Sequence, residues 1–340
     1  MTSRRRLPEP AQLYPLRFVP IYQYRVWGGT ALSNLLAIST PKDVIGEAWL
    51  LSDRAEHQSV VADGALRGWT ISRLLEERAE ELFGSQADQF SRFPLLLKFL
   101  SARTMLSVQV HPSDKQADYL PRGESGKSEA WVVLESGTNS RVYSGLKPGT
   151  TAETLKDALA TNSVLDHLVS FMPKFGDCLF IPAGTVHSLG GDLAVFEVQQ
   201  NSDVTFRLYD WDRTDPKTGK PRELQIEKAL ACIDYVIRPA GPNEPVIETE
   251  NPFLRERLVF CEHFGLWRIS GESPFPVGTT GRARVIVVIT GNGELEHAGH
   301  KYPLKTGSVV LLPAIVGHCL FAPDDFATVL EISFPEDSWT

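Results

Sequence analysis

Two segments of the chain repeat one pattern. Lys174 to Ser188 reads KFGDCLFIPAGTVHS, and Lys305 to Leu320 reads KTGSVVLLPAIVGHCL. Each runs from Gly through an acidic or polar residue into a short apolar strand, then Pro-Ala, then a His four or five residues on. One β-hairpin pattern met twice, about 130 residues apart, predicts two related β-barrel domains. Most of the remaining chain is short β-like runs punctuated by Gly, Pro, Asn and Asp. Three stretches read instead as helices: Thr70 to Phe83, Thr151 to Val169 and Glu223 to Val236. The Pro- and Glu-rich stretch Arg238 to Pro252 reads as a linker, dividing the chain into 1–240 and 241–340. A length of 340 residues accommodates both units, each with its own core.

Charge narrows the function classes. The formal charge is −8, with no basic tract beyond Arg4 to Arg6, which argues against nucleic acid and anionic membrane surfaces. The longest apolar runs, Val285 to Ile289 and Val309 to Leu312, are far too short to span a bilayer. No apolar segment follows the basic N-terminus, so no signal peptide is expected. Cys178, Cys232, Cys261 and Cys319 are scattered without a CxxC pair, which predicts reduced thiols and a cytoplasmic protein. No obligate protein partner is evident. A phosphorylated substrate would be repelled by the overall field, so a local cluster of Lys and Arg would have to bind it.

In Ser107-Val108-Gln109-Val110-His111 valine alternates with polar residues. As a strand, this places Ser107, Gln109 and His111 on one face and the valines on the other, and Pro112 ends it. Glu129 follows eighteen residues after His111, and His187 follows the first Pro-Ala repeat. Two His, a carboxylate and a neutral oxygen donor form a mixed set that suits zinc and would also accept Fe, Mn or Ni. A hydrogen-bonded strand histidine is the competing reading of each His, and spacing alone leaves both open. The other histidines (57, 167, 263, 297 and 300) sit in polar settings and are assigned no role.

The segments FPLLLKFLSA, LSVQVHPSD, GKSEAW, IPAGTVHSLGG and QQNSDVTFRLYDWDR, in that order, resemble the type I mannose-6-phosphate isomerase family of zinc cupins. RVWGGT, IGEAWLLSD and YPLKTGSVVLLPA are similar to its short bacterial branch. The resemblance runs from about residue 17 to 335. It implies a mainly β fold of two cupin (jelly-roll) barrels, a few helices packed on the first, and the active site in the first. It also implies one zinc ion per chain held by Gln109, His111, Glu129 and His187. Arg207 matches the family's catalytic arginine, Lys127 and Lys98 match substrate-site lysines, and Ser107 matches a residue near the substrate phosphate. His318 persists in the second barrel without a SxQxH strand or GKxE segment, so that barrel is expected to be metal-free. The helical insert of the larger members has no room here.

The implied reaction interconverts D-mannose 6-phosphate and D-fructose 6-phosphate through a cis-enediol. It needs a base for the carbon-bound proton and positive charge beside the developing enediolate. The base is not fixed by the residues: Lys127, a Glu, a His or a zinc-bound hydroxide would serve. Arg207 stays charged and suits stabilisation, or else forms a structural salt bridge with Asp203, Asp210 or Asp212. Lys98, Lys127 and Arg207 are the cations expected to meet the phosphate. The competing functions are an Fe(II) cupin oxygenase and a non-catalytic sugar-binding cupin.

Overall fold

Alternation decides the sheets. In the Leu193–Gln200 strand, Ala194, Phe196 and Val198 enter one apolar cluster, while Leu193 and Val195 enter another on the opposite face. Burial on both faces is what the inner strand of a two-layer β structure requires. The computed structural model describes residues 12–36, 44–239 and 241–335, so Arg4 to Arg6 lie outside the described residues.

A six-stranded antiparallel sheet runs, in spatial order, Ile21–Gly29, Ile45–Leu51, Leu95–Ala102, Leu193–Gln200, Glu129–Ser136, Cys178–Ile181. It faces a five-stranded sheet ordered Phe206–Tyr209, Val108–Val110, His187–Gly190, Arg141–Leu146, Leu168–Phe171. A second six-stranded sheet runs Val246–Thr249, Leu254–Phe260, Gly265–Gly271, Ala327–Ser333, Arg284–Thr290, Val309–Leu312, and faces four strands between Phe275 and Lys305 and at Cys319–Pro323. The repeat read from sequence falls on equivalent edge strands, Cys178–Ile181 and Val309–Leu312, so the molecule is the expected pair of jelly-roll barrels. Of the expected linker, Val246–Thr249 is itself the outer strand of the second barrel.

The two six-stranded sheets share one core. Leu97, Phe99 and Phe196 of the first belong to the same apolar cluster as Phe264, Val285, Leu330 and Ile332 of the second. The helix Ile71–Phe83, capped by the Thr70 side chain accepting from the Arg73 backbone, buries Leu74, Leu82 and Phe83 in that cluster, with Phe83 edge-on to Phe334. It therefore packs on the first barrel and reaches the second as well. The other two expected helices are shorter than read. Ala152–Ala160 starts on a Thr151/Thr154 capping box and stops before Asn162, whose φ of 54° is left-handed; residues 168–171 are a strand. A short helix not expected from sequence spans Ala31–Leu35, and of the third expected helix only Ile226–Cys232 is helical. Before it, Gln225 is hydrogen-bonded to the Arg207 backbone; after it, Asp234 accepts from the backbone of Val236 and Ile237 in a turn.

Matching registers show that different polar residues occupy the centre of the second barrel. Glu129 lies opposite Gln199, and Trp131 opposite Glu197; at the equivalent places Arg284 lies opposite Ser333, and Ile286 opposite Glu331. A cation thus stands where the first barrel has a carboxylate. His318 is exposed, not turned inward. Glu331, 1% exposed, accepts from Arg255 (3.2 Å) and the Gly278 backbone (2.9 Å) and lies 3.8 Å from Arg284. Glu331→Ala is expected to destabilise the protein by about 3 kcal/mol, because it strips a buried carboxylate from two guanidiniums. Urea unfolding measures this, and a loss below about 1 kcal/mol would mean the buried charges are compensated elsewhere.

Candidate metal centre

Three chain segments meet inside the first barrel. Glu129 opens its strand on the six-stranded sheet, and His187 opens its strand on the facing sheet, in register with Gln109. His111 follows directly on Val108–Val110, whose valines point into a separate apolar cluster as the alternation predicts. The carboxylate therefore bridges the two layers: Glu129 Oε1 is 3.3 Å from His187 Nε2, and Oε2 is 3.6 Å from His111 Nε2. All three residues are 1% exposed, and one ligand atom from each lies within 4.8 Å of the others.

The backbone sets both tautomers. His111 Nδ1 donates to the Val204 carbonyl (2.8 Å) and His187 Nδ1 to the Thr185 carbonyl (2.9 Å), which turns both Nε2 lone pairs inward. Burial pushes the His187 pKa down to about 4 and that of His111 well below its ordinary value, with the Lys127 charge adding to both. Neutral imidazoles and a carboxylate, converging and dry, are the donor set a divalent metal needs. Each lone pair is met by a donor: Lys127 Nζ is 3.2 Å from His111 Nε2, and Gln109 Nε2 is 3.2 Å from His187 Nε2. The ammonium also lies 2.8 Å from Glu129 Oε2. A cation is thus already seated against the triad, which is the charge a metal would supply. To ligate, Gln109 would offer Oε1, which here accepts from Ser107 Oγ (2.9 Å).

Gln109 and Lys127 also form the inner wall of a cavity of roughly 340 Å³, a size suited to a small polar ligand. Lys98 and Arg207 line it too, so the three expected cations share one pocket. Ser107 does not line it: 2% exposed, it stands behind Gln109 and orients the amide. The remaining wall includes groups that sequence reasoning missed: Arg25, Glu47, Glu197 and Arg222. The missed signal at Glu197 is a carboxylate inside an otherwise apolar strand, LAVFEVQQ.

Charge accounting singles out one residue. Arg25 pairs bidentately with Glu47 (3.0 Å each), Lys98 with Glu197 (3.2 Å), Lys127 with Glu129, and Arg222 with Asp210. Burial works to raise the Glu47 pKa, but Lys98 and Arg25 overcome it and hold it at about 2. Arg207 has no carboxylate partner among the described residues, and its Nε is buried without a hydrogen bond. Asp210 is taken by Arg213 and Arg222, Asp212 accepts from the Tyr209 hydroxyl, and Asp203, which also lines the cavity, acts on Arg207 through its charge without an ion pair, so none of the three expected aspartates forms a salt bridge with Arg207. Burial raises the Glu197 pKa, with the Glu129 charge contributing. Burial opposes the Lys127 charge, but Glu129 and Glu197 outweigh it and raise its pKa above the usual lysine range. The ammonium thus stands as the counter-charge of Glu129 and Glu197.

No helix among the described residues is long and apolar enough to cross a membrane. Residues 16–141 match the family model of the phosphomannose isomerase type I catalytic domain. The chain is 36% identical over 313 residues to mannose-6-phosphate isomerase ManA of Bacillus subtilis (strain 168), covering 89% of this chain and 94% of that one. It is 32% identical over 303 residues to the mannose-6-phosphate isomerase of Streptococcus mutans, covering 88% and 92%. The crystal structure of the mannose 6-phosphate isomerase from Bacillus subtilis superposes with a TM-score of 0.86 at 30% identity, over 94% of this chain and 99% of that one.

Proposed function

The chain belongs to the type I mannose-6-phosphate isomerase family, and from that membership we propose that it interconverts D-mannose 6-phosphate and D-fructose 6-phosphate on one bound zinc ion. His111, Glu129 and His187 would hold the metal, with Gln109 assisting through its carbonyl oxygen. The observation that carries this reading is a triad whose contact residues Gln109 and Lys127 line a cavity that also holds Arg207, a guanidinium without an ion-pair partner among the described residues. An anion-seeking guanidinium beside a metal-ligand set suits a phosphorylated sugar, and an oxygenase acting on a neutral substrate has no use for it.

The zinc would supply Lewis acidity to the sugar oxygens as charge develops on them. The chain's own groups do the rest. Arg207 would hold the phosphate or the enediolate as a fixed cation. Lys127 would donate a hydrogen bond to a substrate oxygen, and Lys98 would add positive charge to the cavity. Glu197 would serve as the base for the carbon-bound proton on the way to a cis-enediol: it lines the cavity, with Lys98 and the Trp131 indole N–H beside its carboxylate. Ser107 acts through Gln109. The division into a catalytic unit over 1–240 and a metal-free unit over 241–340 belongs to the same proposal, supported by sheets whose strands, apart from a single bridge between Leu16 and Leu311, do not mix across residue 240 among the described residues. A cytoplasmic setting is supported by four free cysteines.

A coupled assay with mannose 6-phosphate tests the reading. Activity should vanish after EDTA and gel filtration and return with stoichiometric zinc. Activity untouched by the chelator would remove the metal, and oxygen uptake with bound iron and no isomerisation would replace the reaction.

A further inference from the structure

The segment carrying Lys127 and Glu129 is stitched on both sides by a pair of residues that touch neither metal ligand nor cavity cation. Gln200, 7% exposed, ends the strand whose Gln199 lies opposite Glu129. Its Oε1 accepts from the Ser128 backbone N–H (2.8 Å), and its own N–H donates to the Ser128 carbonyl (3.2 Å). Both backbone groups of the residue between Lys127 and Glu129 are thus held by one side chain and its backbone. The other end of the Gln200 amide, Nε2, donates to Asp114 Oδ2 (2.8 Å). The second carboxylate oxygen, Asp114 Oδ1, accepts from the Gly126 N–H (2.6 Å). Asp114 lies three residues beyond His111 and keeps an exposed outer edge.

The segments also meet backbone to backbone. The Lys127 N–H donates to the Pro112 carbonyl (3.0 Å), and a Cβ on Gly126 would fall 2.5 Å from Asp114 N, which explains glycine there. The Ser128 hydroxyl accepts from the Ala183 N–H (3.2 Å), tying in the loop that leads to His187. Every segment bearing a triad member is therefore linked through Ser128, Gln200 and Asp114.

We propose that Asp114 and Gln200 are positioning residues that hold Lys127 and Glu129 in the geometry for binding the metal. This rests on the metal-dependent reading above. The donor polarity of the pair is directional: Gln200 must accept from Ser128 and donate to Asp114. Gln200→Glu sets a carboxylate against Asp114, and Asp114→Asn sets an amide donor against Gln200 Nε2. The double variant, Asp114→Asn with Gln200→Glu, restores one donor and one acceptor at the contact.

Zinc affinity by competition with a chromophoric chelator, together with the melting temperature of the chelated protein, tests this. Gln200→Glu is expected to weaken zinc binding about tenfold or more, the range seen for groups that orient metal ligands, and the double variant to recover most of it. Unchanged zinc affinity in Gln200→Glu would overturn the proposal, whatever the melting temperature does, since a purely architectural contact would move only the latter. Equal weakening in the single and double variants would also overturn it. A wild-type protein that binds no zinc would bring down the metal reading itself, a result distinct from normal wild-type binding that the variants leave unmoved.

Discussion

Glu129→Ala should lose its metal and its isomerase activity together, with kcat/KM falling by about a thousandfold or more, since several kcal/mol of Lewis-acid stabilisation goes at roughly 1.4 kcal/mol per decade. The carboxylate is the one anionic member of the triad and the group that joins the two sheets, through contacts of 3.3 and 3.6 Å to the histidines. Two neutral imidazoles without it cannot offset the cost of bringing a dication into a site 1% exposed. The same change also strips Lys127 of its nearest anion and leaves Glu197 as its main remaining counter-charge. His187→Ala should act in the same direction, whereas Gln109→Ala removes a neutral donor and should cost much less. Elemental analysis of metal per chain, run beside the coupled assay, reads both effects. Glu129→Ala protein with full metal content and the wild-type rate would sink the assignment.

How far the site could be read in the chain varies from residue to residue. The Ser107 to His111 alternation places Gln109 and His111 on one face by period alone, and the structure keeps them there. The Pro-Ala repeat located two equivalent edge strands, because an apolar run closed by proline leaves little freedom about where a sheet ends. Glu129 and His187 came from the resemblance, since nothing local distinguishes the first residue of a strand that will face a metal. Glu197 was overlooked for a related reason: its identity as a cavity wall depends on Lys98 across the sheet, a pairing between residues 99 positions apart. The overlong helices failed where side chains compete for the backbone. Thr161 to Ser163 and Asp234 make local hydrogen bonds that end a helix that the apolar spacing would have continued. Helix packing on both barrels was not legible, because the shared core is assembled from strands of both units.

Arg207→Ala separates substrate binding from metal binding. The strand Phe206–Tyr209 holds Arg207 in register with Gln109, and Gln225 fixes its backbone by accepting from the Arg207 N–H (3.1 Å) and donating its own N–H to the Arg207 carbonyl (2.9 Å). The side chain is thus delivered to the cavity by a rigid element, while its guanidinium lacks a carboxylate partner among the described residues. Burial and the neighbouring Arg222 lower its pKa, which makes the cation costly unless an anion arrives. Removing it should therefore lower kcat/KM for mannose 6-phosphate by about a hundredfold or more, the range for a preorganised donor aimed at transition-state charge, with zinc content unchanged. Arg207→Lys keeps the charge and loses the planar fork, so it should recover only part of the loss. If Arg207 grips the phosphate, most of the change appears in KM; if it faces the enediolate, in kcat. Unaltered kcat/KM in Arg207→Ala would remove it from the site. Loss of zinc along with activity would make it a support of the metal centre instead, and the near-complete neutralisation of the other cavity cations would then leave the phosphate of a substrate without an obvious partner in a chain of charge −8.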